Sequence, residues 1–547
     1  MNVRKQFVDI ADRRVLVRFA GSGPAILLLH QSPQSSRALI PWIERLCDRF
    51  AVFAPDTPGF GESDPLPLAQ PEIPDFAKAV ARLIDTLGIE RAMVYGVHTG
   101  AVTALRLALD FPGKVAALVC DGYARFNAAE REALLAHYLP PFEPAWDGTH
   151  LAWLFARLRE QHLFFPWHDG SKSARLSYPL PSAAHVHDDV LNVLDAGDGY
   201  RVGYRAPFLY DDAIAAARLT VPTHIFYRAE DVLSPHLHRL PGIPAHVVAE
   251  LVEGGPPSLI ARADAVFAAY AVEAPIVDSV KHVDAARAAS QRVIATDAGE
   301  LGVRLIEGNG VGSVVHLHDV GSPSRAPVTS DLAAKTILPD LPGHGASRDW
   351  PHDQCSPAAV SRALVAMVDS LGLVDVAIVA TGGSCAIGVT LALALGARAT
   401  HLTLHDPLPL DDFERAQFLS LLPDLTPTST GSQLLGAWNF ARMKYLFWPW
   451  LPQDSLSATQ TTAPAARRVQ ADAVEILRAG KCFHALWKGA LAIDLGLVLA
   501  QLKIPVELLA TAEDEPIRLA ARLAALAGLE LNEAVAQNDE RKIWRRR

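Results

Sequence analysis

The sequence predicts an α/β protein of two tandem domains, each a mostly parallel sheet flanked by helices with a helical cap insertion. Three observations carry this: apolar runs alternate with helix-length segments, the alternation occurs twice, and similar turn motifs end the runs in both halves. Parallel strands covered by helices on both faces read as continuous apolar runs. Residues 25–29, 51–54, 92–95, 116–119 and 223–227 have that character. Residues 76–87 and 100–111 have helical length and patterning between them. Such alternation implies a largely parallel sheet, with ligands at the carboxyl ends of the strands.

The two halves match at an offset that drifts only from 288 to 283. Leu29-His30 followed by QSPQSSR resembles Leu317-His318 followed by DVGSPSR. DTPGFGES at 56–63 resembles DLPGHGAS at 340–347. GVHTGAVTAL from Gly96 resembles GGSCAIGVTL from Gly382, and LVCD ending at Asp121 resembles TLHD ending at Asp406. VPTHIFYRAED ending at Asp231 resembles IPVELLATAED ending at Asp514. A repeat of this extent covers a domain, not one motif. The expected domains are 1–275 and 290–547, the second shortened at its C-terminal end. Alternation lapses over about 124–218 and 408–502, which are read as caps. HLFFPW at 162–167 and YLFWPW at 445–450 are either cap core or pocket wall.

Composition bounds the function classes. The 547 residues carry a net charge of −10 without long runs of one sign. That argues against nucleic acid or an anionic membrane as main partner. The charged N-terminal stretch is unlike a signal peptide, and five scattered cysteines suit a reducing, cytoplasmic setting. Residues 376–397 lack charge and have the length of a membrane span, but glycines, a serine and a cysteine interrupt them. They are read as strand, turn and helix. No motif for a cofactor and no ligand spacing for a metal is present. The expected partner is a small molecule, and duplicated domains can pack as an internal pseudo-dimer.

Taken in order, the His30 loop, the two Asp-x-Pro-Gly-x-Gly loops and the tight turns at 96–100 and 382–386 resemble the α/β-hydrolase superfamily. The resemblance covers 21–270 and again 300–547, and is nearest to capped, small-molecule hydrolase-like members. It implies a nucleophile on a crowded strand-to-helix turn, an acid after a later strand, and a histidine base on the loop after the last strand. On this alignment Ser384 occupies the turn of the second half and His98 that of the first. Asp231 and Asp514 match the acid, and Asp121 and Asp406 the alternative acid position. The loops at 253–258 and 537–541 contain no histidine, and none follows His484.

Serine without a base is a weak nucleophile. Ser384 would need His318, His344 or His405. An imidazole at His98, its tautomer held by Asp231 or Asp121, suits proton transfer better than acyl-serine chemistry. The backbone N–H groups of Gln31 and Thr99 are candidates for an oxyanion hole. Ser32 adds a hydroxyl, and Cys385 follows Ser384 at the second turn. His30 and His318 either face substrate or brace their loops. The expected function is a hydrolase or lyase acting on a small carbonyl compound. The alternative is a binding or scaffold protein in which both sites have lost their triads.

Overall fold

The computed structural model describes residues 3–10, 13–240, 242–277, 289–324, 334–447, 463–511, 514–531 and 542–546. The chain forms two compact units, Met1–Glu143 with Trp153–Ala285, and Pro144–Ala152 with Ala286–Arg547.

The first unit is built on β1 (Arg4–Ile10), β2 (Arg13–Ala20), β3 (Gly23–Leu29), β4 (Ala51–Pro55), β5 (Ala92–Val97), β6 (Val115–Asp121), β7 (Thr223–Arg228) and β8 (Val247–Val252). Their spatial order is β1-β2-β4-β3-β5-β6-β7-β8. The strands from β4 to β8 pair in parallel, and β1 and β2 add an antiparallel edge. The five apolar runs read from the sequence lie within β3 to β7. β1 and β2 escaped that reading because Arg4, Lys5, Arg13, Arg14 and Arg18 break their apolar runs.

Successive side chains of a strand point to opposite faces. Ala25, Leu27 and Leu29 therefore pack with helices Ile73–Thr86 and Thr99–Asp110, and Ile26 and Leu28 with Leu39, Leu46 and Phe267 on the other face. Fully burying one such leucine or isoleucine contributes about 1.5–3 kcal/mol. Helices Ala128–His137, Thr149–Gln161, Ala183–Ala196 and Tyr200–Leu209 lie between β6 and β7. Phe165 and Trp167 pack against Leu134, Tyr138 and Phe208, so this part of the FFPW stretch serves internal packing.

The second unit contains β10 (Ala289–Thr296), β11 (Gly299–Ile306), β12 (Ser313–Leu317), β13 (Lys335–Pro339), β14 (Val376–Thr381), β15 (Ala399–His405), β16 (Val506–Ala510), β17 (Glu530–Leu531) and β18 (Lys542–Arg546), while β9 (Ile276–Val277) pairs with β3. Their order is β10-β11-β13-β12-β14-β15-β16-β18-β17. From β10 to β16 this is the order of β1 to β7. The far edges differ: β8 runs parallel to β7, whereas β18 runs antiparallel to β16. The uncharged stretch 376–397 is β14, a turn and helix Cys385–Leu395. Among the described residues no helix is long and apolar enough to cross a membrane. Trp448 to Trp450 and the loop at 537–541 lie outside the described residues.

Candidate active site

The loop motifs shared by the two halves have a common physical job. Asp56 accepts from Glu62 N at 2.9 Å, and Asp340 from Ala346 N at 2.9 Å. A Cβ on Gly61 or Gly345 would strike that carboxylate, and both glycines have positive φ. His30 and His318 are braces. His30 Nε2 accepts from Thr57 N at 2.9 Å while Nδ1 lies 3.0 Å from Gln31 O. His318 Nε2 accepts from Leu341 N at 2.9 Å while Nδ1 lies 2.9 Å from Asp319 O. Burial lowers both pKa values, that of His318 to about 3, so neutral rings hold the loops. Neither ring nitrogen pair is left for acid–base work.

The turn after β5 carries His98 at φ +46°, a left-handed conformation that non-glycine residues rarely adopt. Close packing makes the turn: a Cβ on Gly96 would strike Gly100 O, and one on Gly100 would strike Leu29 O. The His98 imidazole reaches the carboxylate after β7 directly, with Nε2 2.9 Å from Asp231 Oδ2. Gly122 makes room for it, since a Cβ there would lie 2.6 Å from His98 Cδ2.

Asp231 is 1% exposed and accepts from Arg228 Nη2 at 2.6 Å and Leu233 N at 2.9 Å. Arg228 Nε also donates to Asp121 Oδ1 at 3.3 Å, and Tyr95 OH to Asp121 Oδ2 at 3.0 Å. Two buried carboxylates thus share one guanidinium. Burial pushes the Asp231 pKa up, but His98 and Arg228 outweigh it and hold the carboxyl well below the usual range. For Asp121 burial prevails over Arg228 and His98, and its pKa is raised. Burial disfavours the imidazolium of His98, but the charge and hydrogen bond of Asp231 outweigh it, so its pKa is raised. An ionised Asp231 keeps a proton on Nε2. Nδ1, without a partner among the described residues on a side chain 28% exposed, is the nitrogen available to substrate.

Gln31, Trp42, Tyr95, Asp121, Arg228 and Leu259 wall a cavity of about 180 Å³. The backbone N–H groups of Gln31 and Thr99 have no partner among the described residues. The hydroxyls near Gln31 are otherwise engaged or enclosed: Ser36 bonds Asp56, Ser35 bonds Asn192, and Ser32 is buried.

The second turn corrects the sequence alignment by two residues. Val97 pairs with Asp121 across β5 and β6, and Thr381 with His405 across β14 and β15. His98 therefore corresponds to Gly382, which has φ +55°, and Gly100 corresponds to Ser384. Ser384 is not the turn residue. It is fully buried, and its Oγ donates to Leu317 O or Thr381 O and accepts from Thr381 N at 3.0 Å. Its hydroxyl meets the carbonyl that Gly100 meets with backbone in the first unit. Cys385 is also buried, its thiol against Ala380 O and His405 O, and burial pushes its pKa up. By the same register the counterpart of Asp121 is His405, and that of Gly122 is Asp406. Asp406 binds Thr511 N at 2.7 Å. Asp514 opens helix Asp514–Ala527, and its side chain lies outside the described residues.

Asp319 now occupies the place beside the turn. Gly383, the counterpart of Thr99, donates its N–H to Asp319 Oδ1 at 2.8 Å. Lys444 Nζ lies 2.5 Å from Asp319 Oδ2 and donates to Ser322 Oγ at 2.7 Å. Burial disfavours the Lys444 ammonium, but Asp319 and Asp472 outweigh it and raise its pKa. A cavity of about 480 Å³ opens among His318, Asp319, Gly382, Lys444, Tyr445 and Asp472. Sequence reasoning missed Tyr95, Arg228, Asp319 and Lys444. The available signal for Arg228 was a basic residue ending an apolar strand, three positions before Asp231.

Residues 24–206 match the family model described as alpha/beta hydrolase fold. Over 143 residues the chain is 31% identical to a fluoroacetate dehalogenase of Burkholderia sp, covering 24% of this chain and 47% of that protein. Over 127 residues it is 35% identical to a 2-(acetamidomethylene)succinate hydrolase of Mesorhizobium japonicum, covering 23% and 45%. An uncharacterized hydrolase of Saccharomyces cerevisiae is 29% identical over 157 residues, covering 28% and 53%. The chain thus spans about half the length of these relatives. The solved structure of E-2-(acetamidomethylene)succinate hydrolase is 22% identical with a TM-score of 0.37, covering 49% of this chain and 98% of that one. The matched segment lies in the first unit, whose largely parallel sheet and crowded strand-to-helix turn are those of an α/β-hydrolase-type fold.

Proposed function

We propose that the first unit is a hydrolase- or lyase-type enzyme for a small carbonyl-containing molecule, with His98 as general acid–base and Asp231 as its positioning residue. The observation that carries this is the 2.9 Å contact from His98, on the positive-φ turn, to Asp231. In the family arrangement a separate histidine stands between turn nucleophile and acid. Here the turn residue is itself the imidazole, so the acid grips it directly and no third residue is needed. In the charged form Nδ1–H donates a proton to a carbonyl oxygen or leaving group. When the leaving group takes that proton, the neutral ring regains one at Nδ1 from the attacking water or from a substrate hydroxyl, and the N–H groups of Gln31 and Thr99 hold the unprotonated carbonyl oxygen as an oxyanion. The helices between β6 and β7 serve as the cap. The relatives' names specify fluoroacetate and 2-(acetamidomethylene)succinate, so small carboxylates, esters and ketones form the panel to try.

The second unit reads as a tandem copy of the first that has become a binding domain. Asp319 supplies an internal carboxylate to the N–H that would otherwise stabilise an oxyanion, and no nucleophile stands on the Gly382 turn. The five cysteines, all buried and unpaired, fit a cytoplasmic setting.

The test is to titrate His98 by NMR in the full chain and to assay the panel with wild type and His98→Gln. The expected outcome is a His98 pKa above 6.5, falling in Asp231→Asn. Turnover should drop by about 10²–10⁴-fold in His98→Gln. Turnover unchanged in His98→Gln would remove His98 from the chemistry, and no turnover with the panel by wild type would leave the first unit as a binding domain also.

A further inference from the structure

We infer that the helical insertion of the first unit holds a divalent transition-metal ion on His162, His185 and Asp189. His162 follows helix Thr149–Gln161, and His185 and Asp189 lie four residues apart on helix Ala183–Ala196. Residues at that spacing share one helix face. His162 Nε2 is 2.8 Å and His185 Nε2 3.6 Å from the same oxygen, Asp189 Oδ2. The three ligand atoms all lie within 4.8 Å of one another. A tetrahedral ion with bonds near 2.0–2.1 Å separates its ligand atoms by about 3.3 Å. The observed separations bracket that value, and His185, 52% exposed, is free to swing inward.

Charge supplies a second argument. Asp189 is 8% exposed, yet its only ionic partners among the described residues are the two histidines. Its other oxygen accepts from Gln34 Nε2 at 3.4 Å. Among the described residues no lysine or arginine compensates this buried carboxylate, and with the imidazoles neutral a bound cation would. Two imidazoles and one carboxylate suit Zn²⁺ or a neighbouring divalent ion better than Ca²⁺ or Mg²⁺, which favour all-oxygen sites. A fourth position stays open to water on the exposed His185 side. The sequence shows no such set, because His162 stands far from the other two along the chain.

The ion would also stiffen the insertion against the loop after β3. Gln34 reaches Asp189 and Ser35 reaches Asn192 at 3.1 Å, and the same loop carries Gln31 of the cavity wall.

The test titrates the full chain with Co²⁺ by visible absorption and with Zn²⁺ by calorimetry, in wild type, His185→Ala and Asp189→Asn. The expected result is one equivalent bound with a tetrahedral Co²⁺ spectrum, and affinity about tenfold or more weaker in each variant. His185 is exposed and Asp189→Asn keeps an acceptor for Gln34, so both variants should fold, which circular dichroism checks. Absence of a bound equivalent in wild type, or unchanged affinity in both folded variants, would overturn the assignment.

Discussion

The strand-to-helix turn of the first unit and that of the second show how one backbone device supports opposite chemistry. Both end a central parallel strand with a positive-φ residue, and in each unit a neutral histidine after the neighbouring strand braces the Asp-x-Pro-Gly loop. In the first, the turn residue carries an imidazole that meets a buried acid, and the neighbouring N–H groups stay open. In the second, the turn residue is a glycine, and a loop carboxylate covers the matching N–H. Two positions decide the difference, the turn residue and one loop residue. Gln31 presents a neutral side chain, whereas its counterpart Asp319 presents an anion that needs Lys444 beside it.

The largest test of this contrast is Arg228→Met. It would leave Asp121 and Asp231 buried without their shared cation. The unfolding transition of the first unit should lose about 3–5 kcal/mol in chemical denaturation. A loss below that of an exposed pair would mean that His98 alone compensates both carboxylates. The loss also has a pH signature. Asp231 is depressed in the folded state, so its contribution is present above the ordinary aspartate pKa and disappears as pH falls through the folded value. His98 is raised, so its contribution is full below about pH 6.5 and disappears as pH rises through its folded pKa.

Asp319→Asn is the next largest, at about 2 kcal/mol on the second unit, because a charged partner of Gly383 N–H and Lys444 is removed while Asp472 remains near the ammonium. Stability unchanged by this substitution would contradict the description of Asp319 as the carboxylate that covers the turn. The smallest effect belongs to Ser384→Ala, about 1 kcal/mol for the lost hydrogen bonds of a buried hydroxyl. A fluorophosphonate serine probe should label neither wild type nor this variant at residue 384. Labelling of wild-type Ser384 would restore it as a nucleophile.

Much of the first site was legible in the sequence because its parts sit at strand ends. His98, Asp231, Gln31 and Thr99 are all placed by where apolar runs stop. The second turn was misread because GGSC offers two glycines, and matching glycine to glycine shifts the serine onto the turn. Only the pairing of Thr381 with His405 sets the register. Asp319 and Lys444 were invisible for a different reason, since a buried ion pair across 125 positions leaves no local pattern.

By itself, the sequence determined the alternation of strands and helices, the two loops that need glycine around an aspartate, and a histidine where the family expects a nucleophile. Those are local properties, set by apolar periodicity and by backbone that tolerates no Cβ. Tertiary structure alone decided which charges meet. The sharing of Arg228 between Asp121 and Asp231, the cover of Asp319 over Gly383 and the convergence of His162 on Asp189 all depend on separate elements arriving within about 3 Å, the range over which a hydrogen bond acts.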